Sequence, residues 1–331
     1  MDWLPIFFVT VMGFALLMYT LLDGYDLGIG MLLPLANDAQ KDEMISTIGP
    51  FWDANETWIV LGVGVLLMAF PKAHGAVLTA LYFPVAIMLL GLTLRGVAFD
   101  FRVKVKTQHK AMWNKLFFLG SLIASLAQGW MLGRYVMGLS TDSVSMLFSA
   151  IIAILLPCLY IMLGSGWLLV KTDGEVYDNA VRWARRCIFP LGLGLFIISI
   201  TTPIASETIA DKWFSLPEAI GLLPIPMTVI IAYGVIIWLL NSPKMLKADY
   251  GWIVYAALIV ICVTSAIGLG YSIFPDIIIG QLDIWEAAAA RSSLMFAFVG
   301  SVVAVPAIFI YTVFIYRIFS GKTKTLSYES D

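Results

Sequence analysis

Nine stretches of some twenty mostly apolar residues, joined by short polar links, constrain this chain more than any motif in it. They cover roughly residues 4–31, 52–70, 75–98, 115–138, 145–170, 188–205, 219–240, 252–274 and 292–318. A helix needs about 20 apolar residues to cross the hydrocarbon of a bilayer. Of the 331 residues, 60% are hydrophobic and 13% are charged. Soluble domains run nearer half apolar and a quarter charged. A mean hydropathy of +0.91 therefore places the chain in lipid, as an all-α integral membrane protein of about nine transmembrane helices. The expected arrangement is one transmembrane domain over 1–331, built as two four-helix bundles plus one peripheral helix. Pseudo-repeat units over 1–140 and 141–275 would precede the extra helix at about 291–318. Met1–Pro5 carries no positive charge and no small-residue cleavage site follows the first apolar run, so that run reads as a retained helix.

Prolines and basic residues refine the spans. Pro71, Pro217 and Pro275 fall at expected helix ends, where proline is tolerated, whereas Pro84, Pro157 and Pro306 fall inside spans. Pro217, Pro224 and Pro226 make the seventh span the least regular. Alternate links are basic: Arg102, Lys104, Lys106, Lys110 and Lys115; then Lys171, Arg182, Arg185 and Arg186; then Lys244 and Lys247; finally Arg317, Lys322 and Lys324. Opposite links hold scattered cations such as Lys72, Lys212 and Arg291. Lys and Arg concentrate in cytoplasmic loops, so nine spans put the N-terminus outside and the C-terminus in the cytoplasm. The net charge of −2 offers no global basic field for nucleic acid.

With that orientation, acidic residues gather at one membrane face. Asp23 and Asp26 close the first span, Asp53 and Glu56 open the second, and Arg95 closes the third, followed by Asp100 and Arg102. Each acidic pair has i,i+3 spacing and so shares a helix face. Ionisable groups at membrane depth are costly and mark proton relays by default. Asp53 and Glu56, a turn apart between Trp52 and Trp58, are the leading proton-path candidates, with Asp23 and Asp26 beside them. The competing structural reading has Asp23 and Asp53 capping helices or pairing with Arg95 and Arg102. Trp52, Asn55, Trp58, Arg95, Asp100 and Arg102 are read as supporting residues. Gly24 and Gly28, spaced as small-x-x-x-small, allow a second helix to approach closely.

Other chemistry is thinly represented. The two histidines, His74 and His109, lie in links rather than at membrane depth, so axial imidazole ligation of an intramembrane haem is not expected of this chain. Cys158, Cys187 and Cys262 form no CxxC pair and sit in or beside apolar runs, where cysteine packs as a small hydrophobe. No metal ligand set is expected.

Three motifs carry a resemblance. Leu22-Asp23-Gly24-Tyr25-Asp26-Leu27-Gly28-Ile29-Gly30, then Gly49-Pro50-Phe51-Trp52-Asp53-Ala54-Asn55-Glu56-Thr57-Trp58, then Arg95-Gly96-Val97-Ala98-Phe99-Asp100-Phe101-Arg102 resemble, in order and spacing, the signatures of cytochrome bd oxidase subunit II. Trp285-Glu286-Ala287-Ala288 resembles a stretch before that family's last span, and the short loops look like its cyanide-insensitive branch. The match is most specific over 1–110. Phe51 stands where the family often has histidine, so no histidine role is expected there. The resemblance implies a subunit of a quinol:oxygen oxidoreductase in a bacterial plasma (inner) membrane. It implies a heterodimer with a haem-bearing subunit I that carries the quinol site, two haem b groups and one haem d. It further implies no haem on this chain, a proton path from the cytoplasm, room for a bound ubiquinone or menaquinone among the lipids, and scope for a small single-helix accessory subunit.

Two other readings compete. A proton-coupled secondary transporter usually has discontinuous helices around a midplane site; here the charges gather near one face and the ninth span is unpaired. A purely structural scaffold leaves the Asp53/Glu56 pair without a purpose.

Overall fold

A computed structural model describes residues 2–105, 109–205, 207–216 and 218–323. Lys106, Pro217, Lys324 and the termini Met1 and Asp331, used above for orientation and boundaries, lie outside the described residues. In chain order the elements are α1 (Leu4–Leu32), α2 (Asp38–Ile48), α3 (Trp52–Ala69), α4 (Pro71–Lys104), α5 (Lys110–Val136), α6 (Ser143–Lys171) and α7 (Gly174–Ala205). Then come α8 (Glu207–Phe214), α9 (Glu218–Leu222), α10 (Pro224–Leu240), α11 (Pro243–Lys247), α12 (Trp252–Ile273), strands β1 (Asp276–Ile278) and β2 (Leu282–Asp283), α13 (Ile284–Ala287) and α14 (Arg291–Ile318).

Eight helical segments among the described residues are long and apolar enough to cross a membrane, and α3 is not one of them. Its 18 residues have the length, but Asp53, Asn55 and Glu56 crowd its first turns, and this polarity is what matters below. Most expected spans match a helix to within a few residues. The sixth does not. It was expected from 188, whereas α7 starts at Gly174, so the basic stretch Lys171–Arg186, read above as a link, is largely the first turns of a long helix. The seventh, expected as one helix, is broken at Leu223 between α9 and α10, where Pro224 has no N–H to continue the ladder.

Two elements went unforeseen. α2 is a short helix held by a capping box: Asn37 accepts from the Gln40 backbone N–H, and the Gln40 side chain accepts from that of Asn37. The antiparallel hairpin β1–β2 covers the other end of the bundle.

Cross-chain contacts define the two ends. At the α2 end, Arg102 and Lys110 reach Asp42, Trp167 Nε1 donates to Thr47 O, and Lys171 Nζ donates to the carbonyls of Phe319 and Gly321. At the hairpin end, Trp285 Nε1 donates to Asp2 O, Tyr135 Oη to Ile277 O, and Ala289 N to Ala69 O. The α2 end is the basic one.

Close helix approach follows the glycines. A Cβ on Gly28 would lie 1.8 Å from the Tyr160 carbonyl oxygen, and one on Gly164 would lie 2.7 Å from Ile29 N. α1 and α6 therefore meet backbone to backbone. Without a hydrophobic force between helices in lipid, such close packing is a main source of association. α14 is different: only Leu294, Ala297 and Thr312 are buried on it, as befits a peripheral helix.

Candidate functional site

At the α2 end of α1, eleven consecutive residues from Leu22 to Leu32 are buried. The helix is enclosed there on every side, and Asp23 and Asp26 are enclosed with it. α3 supplies Asn55 and Glu56, and α4 supplies Arg95. Arg95, only 1% exposed, donates through Nη1 to Asp23 Oδ1 at 2.6 Å and through Nη2 to Glu56 Oε1. Asp23 is fully buried, while the Glu56 side chain is 29% exposed. One guanidinium thus bridges acids from two helices and opens toward the surface on the Glu56 side. A buried ion pair of this kind holds only if further hydrogen bonds complete it.

Beside the ion pair, α3 and α14 build a second hydrogen-bonded group around Asp26. Asn55 Nδ2 lies 2.9 Å from Asp26 Oδ2, 2.9 Å from Tyr25 Oη and 3.3 Å from Leu22 O. Tyr316 Oη donates to Asn55 Oδ1 at 3.0 Å and sits 2.5 Å from Tyr25 Oη. Deeper in the bundle, Gln128 Nε2 donates to Tyr19 Oη at 2.7 Å, and Tyr160 Oη donates to Gln128 Oε1 at 2.5 Å. Tyr19 lies one turn from Asp23 on α1. Two buried carboxylate oxygens, Asp23 Oδ2 and Asp26 Oδ1, have no hydrogen-bond partner among the described residues. Such atoms are costly unless something exchanges with them.

The sequence-derived candidates are therefore sorted. Asp23, Asp26, Asn55, Glu56 and Arg95 converge. Asp53 does not join them: it is exposed in the first turn of α3, one turn beyond Glu56. The i,i+3 spacing leaves a 60° offset on a 100°-per-residue helix, and that offset turns Asp53 out while Glu56 turns toward Arg95. The capping alternative for Asp53 also has no bond behind it, since no side chain caps α3. Asp100 is exposed as well. Arg102 is buried but serves a second cluster, donating to Asn114 Oδ1 at 2.5 Å and Asp42 Oδ1 at 2.7 Å. Trp52 lies against Phe99, with ring centroids 5.0 Å apart, and Trp58 is fully buried edge-on to Phe14. A Cβ on Gly24 would come within 2.9 Å of the Tyr160 ring, so Gly24 and Gly28 seat α6 beside the acids. Phe51 is buried against Trp167, Tyr316 and Phe319.

Tyr19, Tyr25, Gln128, Tyr160 and Tyr316 were missed. Gln128 could have been found, as an amide within an apolar span. Tyr25 stood inside the first motif without being given a role, and Tyr19, Tyr160 and Tyr316 carried no signal, because tyrosine is common at membrane interfaces.

Histidine does not fit a haem here. His74 lies in the first turn of α4 and His109 is the N-cap of α5. The stretch of α4 from His74 to Lys104 alone separates them by about 45 Å at 1.5 Å per residue.

Comparison with known proteins agrees with this architecture. Residues 4–319 match the family described as cytochrome bd terminal oxidase subunit II. The cytochrome bd ubiquinol oxidase subunit 2 of Bacillus subtilis is 29% identical over 70% of this chain and 69% of that protein. The cytochrome bd-I ubiquinol oxidase subunit 2 of Escherichia coli is 25% identical over 95% of this chain and 94% of that one. The bd oxidase structure from Geobacillus thermodenitrificans superposes with a TM-score of 0.77 at 17% identity, covering 96% of this chain and 99% of that one, and so shares the fold. Matching from α1 through α14, the chain belongs to the cytochrome bd terminal oxidase subunit II family.

Proposed function

We propose that this chain works as the haem-free half of a membrane quinol oxidase and conducts protons from the cytoplasmic face toward a haem-bearing subunit I. The carrying observation is the Asp23–Arg95–Glu56 bridge, buried at one end and open at the other. The basic α2 end faces the cytoplasm under the positive-inside rule, with the N-terminus on the opposite side. Reduction of oxygen to water consumes protons inside a low-dielectric protein, and a chain of exchangeable groups must deliver them.

Each residue then has a task. Asp53, exposed at the mouth, gathers protons from the aqueous face. Glu56, half-buried and one turn inward, passes them to the interior. Arg95 holds Glu56 and Asp23 in place and offsets their charge. Asp23 Oδ2 and Asp26 Oδ1, without a hydrogen-bond partner among the described residues, are the atoms open to a proton. Tyr19, Gln128 and Tyr160 extend the polar interior beyond Asp23. Electron transfer through two haem b groups and haem d belongs to the partner. The reduced substrate is a ubiquinol or menaquinol, in line with the ubiquinol oxidase names of the relatives. A bound quinone on this chain and a small accessory helix complete the family picture.

The test is the assembled oxidase in vesicles, with turnover per haem and membrane potential measured together. Asp26→Asn and Asp23→Asn keep shape but remove the titrating proton, so turnover should fall by roughly tenfold or more. Asp53→Asn should cost less, and Asp53→Glu less still. Full assembly with unchanged turnover and potential in Asp26→Asn would sink the path. Proton uptake from the hairpin side would overturn the orientation.

A further inference from the structure

α14 is peripheral in its packing, yet it sends one side chain into the buried acid network. Tyr316 stands near its C-terminus, half-buried against Phe51 and Trp167 with ring centroids at 4.6 Å and 5.7 Å. Its hydroxyl meets Asn55 Oδ1 and Tyr25 Oη and nothing else among the described polar groups.

Hydrogen accounting gives this contact a direction. Asn55 Nδ2 carries two hydrogens and faces three acceptors: Leu22 O, Tyr25 Oη and Asp26 Oδ2. Turned over, the amide would point its oxygen at a backbone carbonyl and a carboxylate, with no hydrogen between them. In the observed orientation Oδ1 needs one donor, and Tyr316 supplies it. Tyr316 Oη must then accept from Tyr25, whose own oxygen accepts from Asn55. The cycle runs one way: Tyr25 to Tyr316, Tyr316 to Asn55, Asn55 to Tyr25 and Asp26. Its consequence falls on Asp26. Oδ2 is pinned by the amide, and Oδ1, fully buried and without a partner among the described residues, is the atom left open.

We propose that Tyr316 is a positioning residue for proton transfer through Asp26: it fixes the Asn55 amide so that one carboxylate oxygen is held and the other is presented. The inference rests on the proton-path reading above and extends it to a residue on the last helix. Tyr316 and Asn55 neither gain nor lose a proton over a turnover; Asp26 takes one and releases one.

The experiment uses the assembled oxidase and expresses turnover per haem, so that a change in yield does not count. Tyr316→Phe keeps the ring and its packing but removes the donor. The expected result is a fall in kcat of about three- to tenfold, the rate equivalent of one hydrogen bond, with quinol KM and the haem spectrum unchanged. The double variant Asp26→Asn with Tyr316→Phe should be no slower than Asp26→Asn alone, because residues acting as one unit are not additive. Tyr25→Phe leaves the Tyr316–Asn55 bond in place and should cost less than twofold. A silent Tyr316→Phe beside a slowed Asp26→Asn overturns this assignment while the path stands. Additive losses in the double variant, or a Tyr25→Phe as slow as Tyr316→Phe, overturn it too. An assembled, fully active Asp26→Asn removes the path and this assignment together.

Discussion

Two groups of helices differ in what they bury. In the first, α1, α3, α4 and α5 bury Asp23, Asp26, Asn55, Arg95, Arg102, Asn114 and Gln128, and these side chains bond from one helix to another. In the second, α7 and α12 bury Thr202 and Ser272, whose hydroxyls donate to their own helix at Ile198 O and Gly268 O. A hydroxyl that satisfies itself on the preceding turn costs a membrane helix little. An aspartate or arginine cannot bond to the preceding turn in this way: Asp26 and Arg95 find partners on other helices, and Arg134 reaches Leu139 O just past the end of α5. Polarity between helices is therefore placed for a reason, and it is concentrated in the group that carries the signature motifs. Tyr160 of α6 crosses the boundary by reaching Gln128.

The comparison can be broken most sharply at Arg95. Arg95→Met leaves the buried Asp23 and the half-buried Glu56 without their counter-charge, a loss of about 3–5 kcal/mol for a broken buried pair. Assembled oxidase in the membrane should fall severely. Adding Asp23→Asn and Glu56→Gln removes the stranded charges, and assembly should return without turnover. Recovery of both, measured as haem content and quinol oxidation, would mean that this group is polar for stability alone.

A smaller effect is expected at Gln128. Gln128→Leu strands the hydroxyls of Tyr19 and Tyr160 and should cost about 1–3 kcal/mol in thermal stability of the complex. Ser272→Ala in the second group also removes the bond from Trp213 Nε1, yet should cost less, near 1 kcal/mol. Equal losses would erase the distinction between bonds across helices and bonds within them.

The smallest effect tests an acid outside the membrane, in the link after α5. Asp142 caps α6, accepting from the backbone N–H groups of Val144 and Ser145 and from the hydroxyls of Ser140 and Ser145. The Ser140 and Ser145 hydroxyls, with those backbone donors, hold its carboxyl well below the usual carboxylate range. A depressed folded-state value stabilises above the ordinary carboxylate pKa and loses that contribution as pH falls toward the folded value. Asp142→Ala should therefore lower Tm modestly at neutral pH, with the deficit shrinking as the medium is acidified below the ordinary carboxylate range. A deficit independent of pH would assign the effect to helix propensity rather than to the charged cap.

How far the site was legible depends on distance along the chain. Asp23, Glu56 and Arg95 could be read because ionisable residues stand out in apolar spans and because alternating spans return them to one face. That reading could not tell which carboxylate of a pair points inward. Asp53 and Glu56 look alike in sequence, but only Glu56 meets the guanidinium. Asp42 escaped notice because α2 was read as part of a link, although its Asn37/Gln40 capping pair was visible. Tyr316 lay hidden for another reason: it is 261 residues from Asn55, and nothing local says that a lipid-facing helix turns one hydroxyl inward.

The long apolar helices, membrane residence, the basic end and the presence of an acidic cluster were determined by the sequence alone. Each is a property of a single segment read against the bilayer: apolar length, charge, and the cost of placing charge in lipid. The tertiary structure decided which oxygen faces which donor, that Asp26 rather than Asp53 is enclosed, and that the terminal helix completes the network. Those outcomes depend on the rotation of each helix about its own axis. Close contacts between helices distant in sequence, such as Gly28 against Tyr160, set that rotation, and no local pattern encodes it.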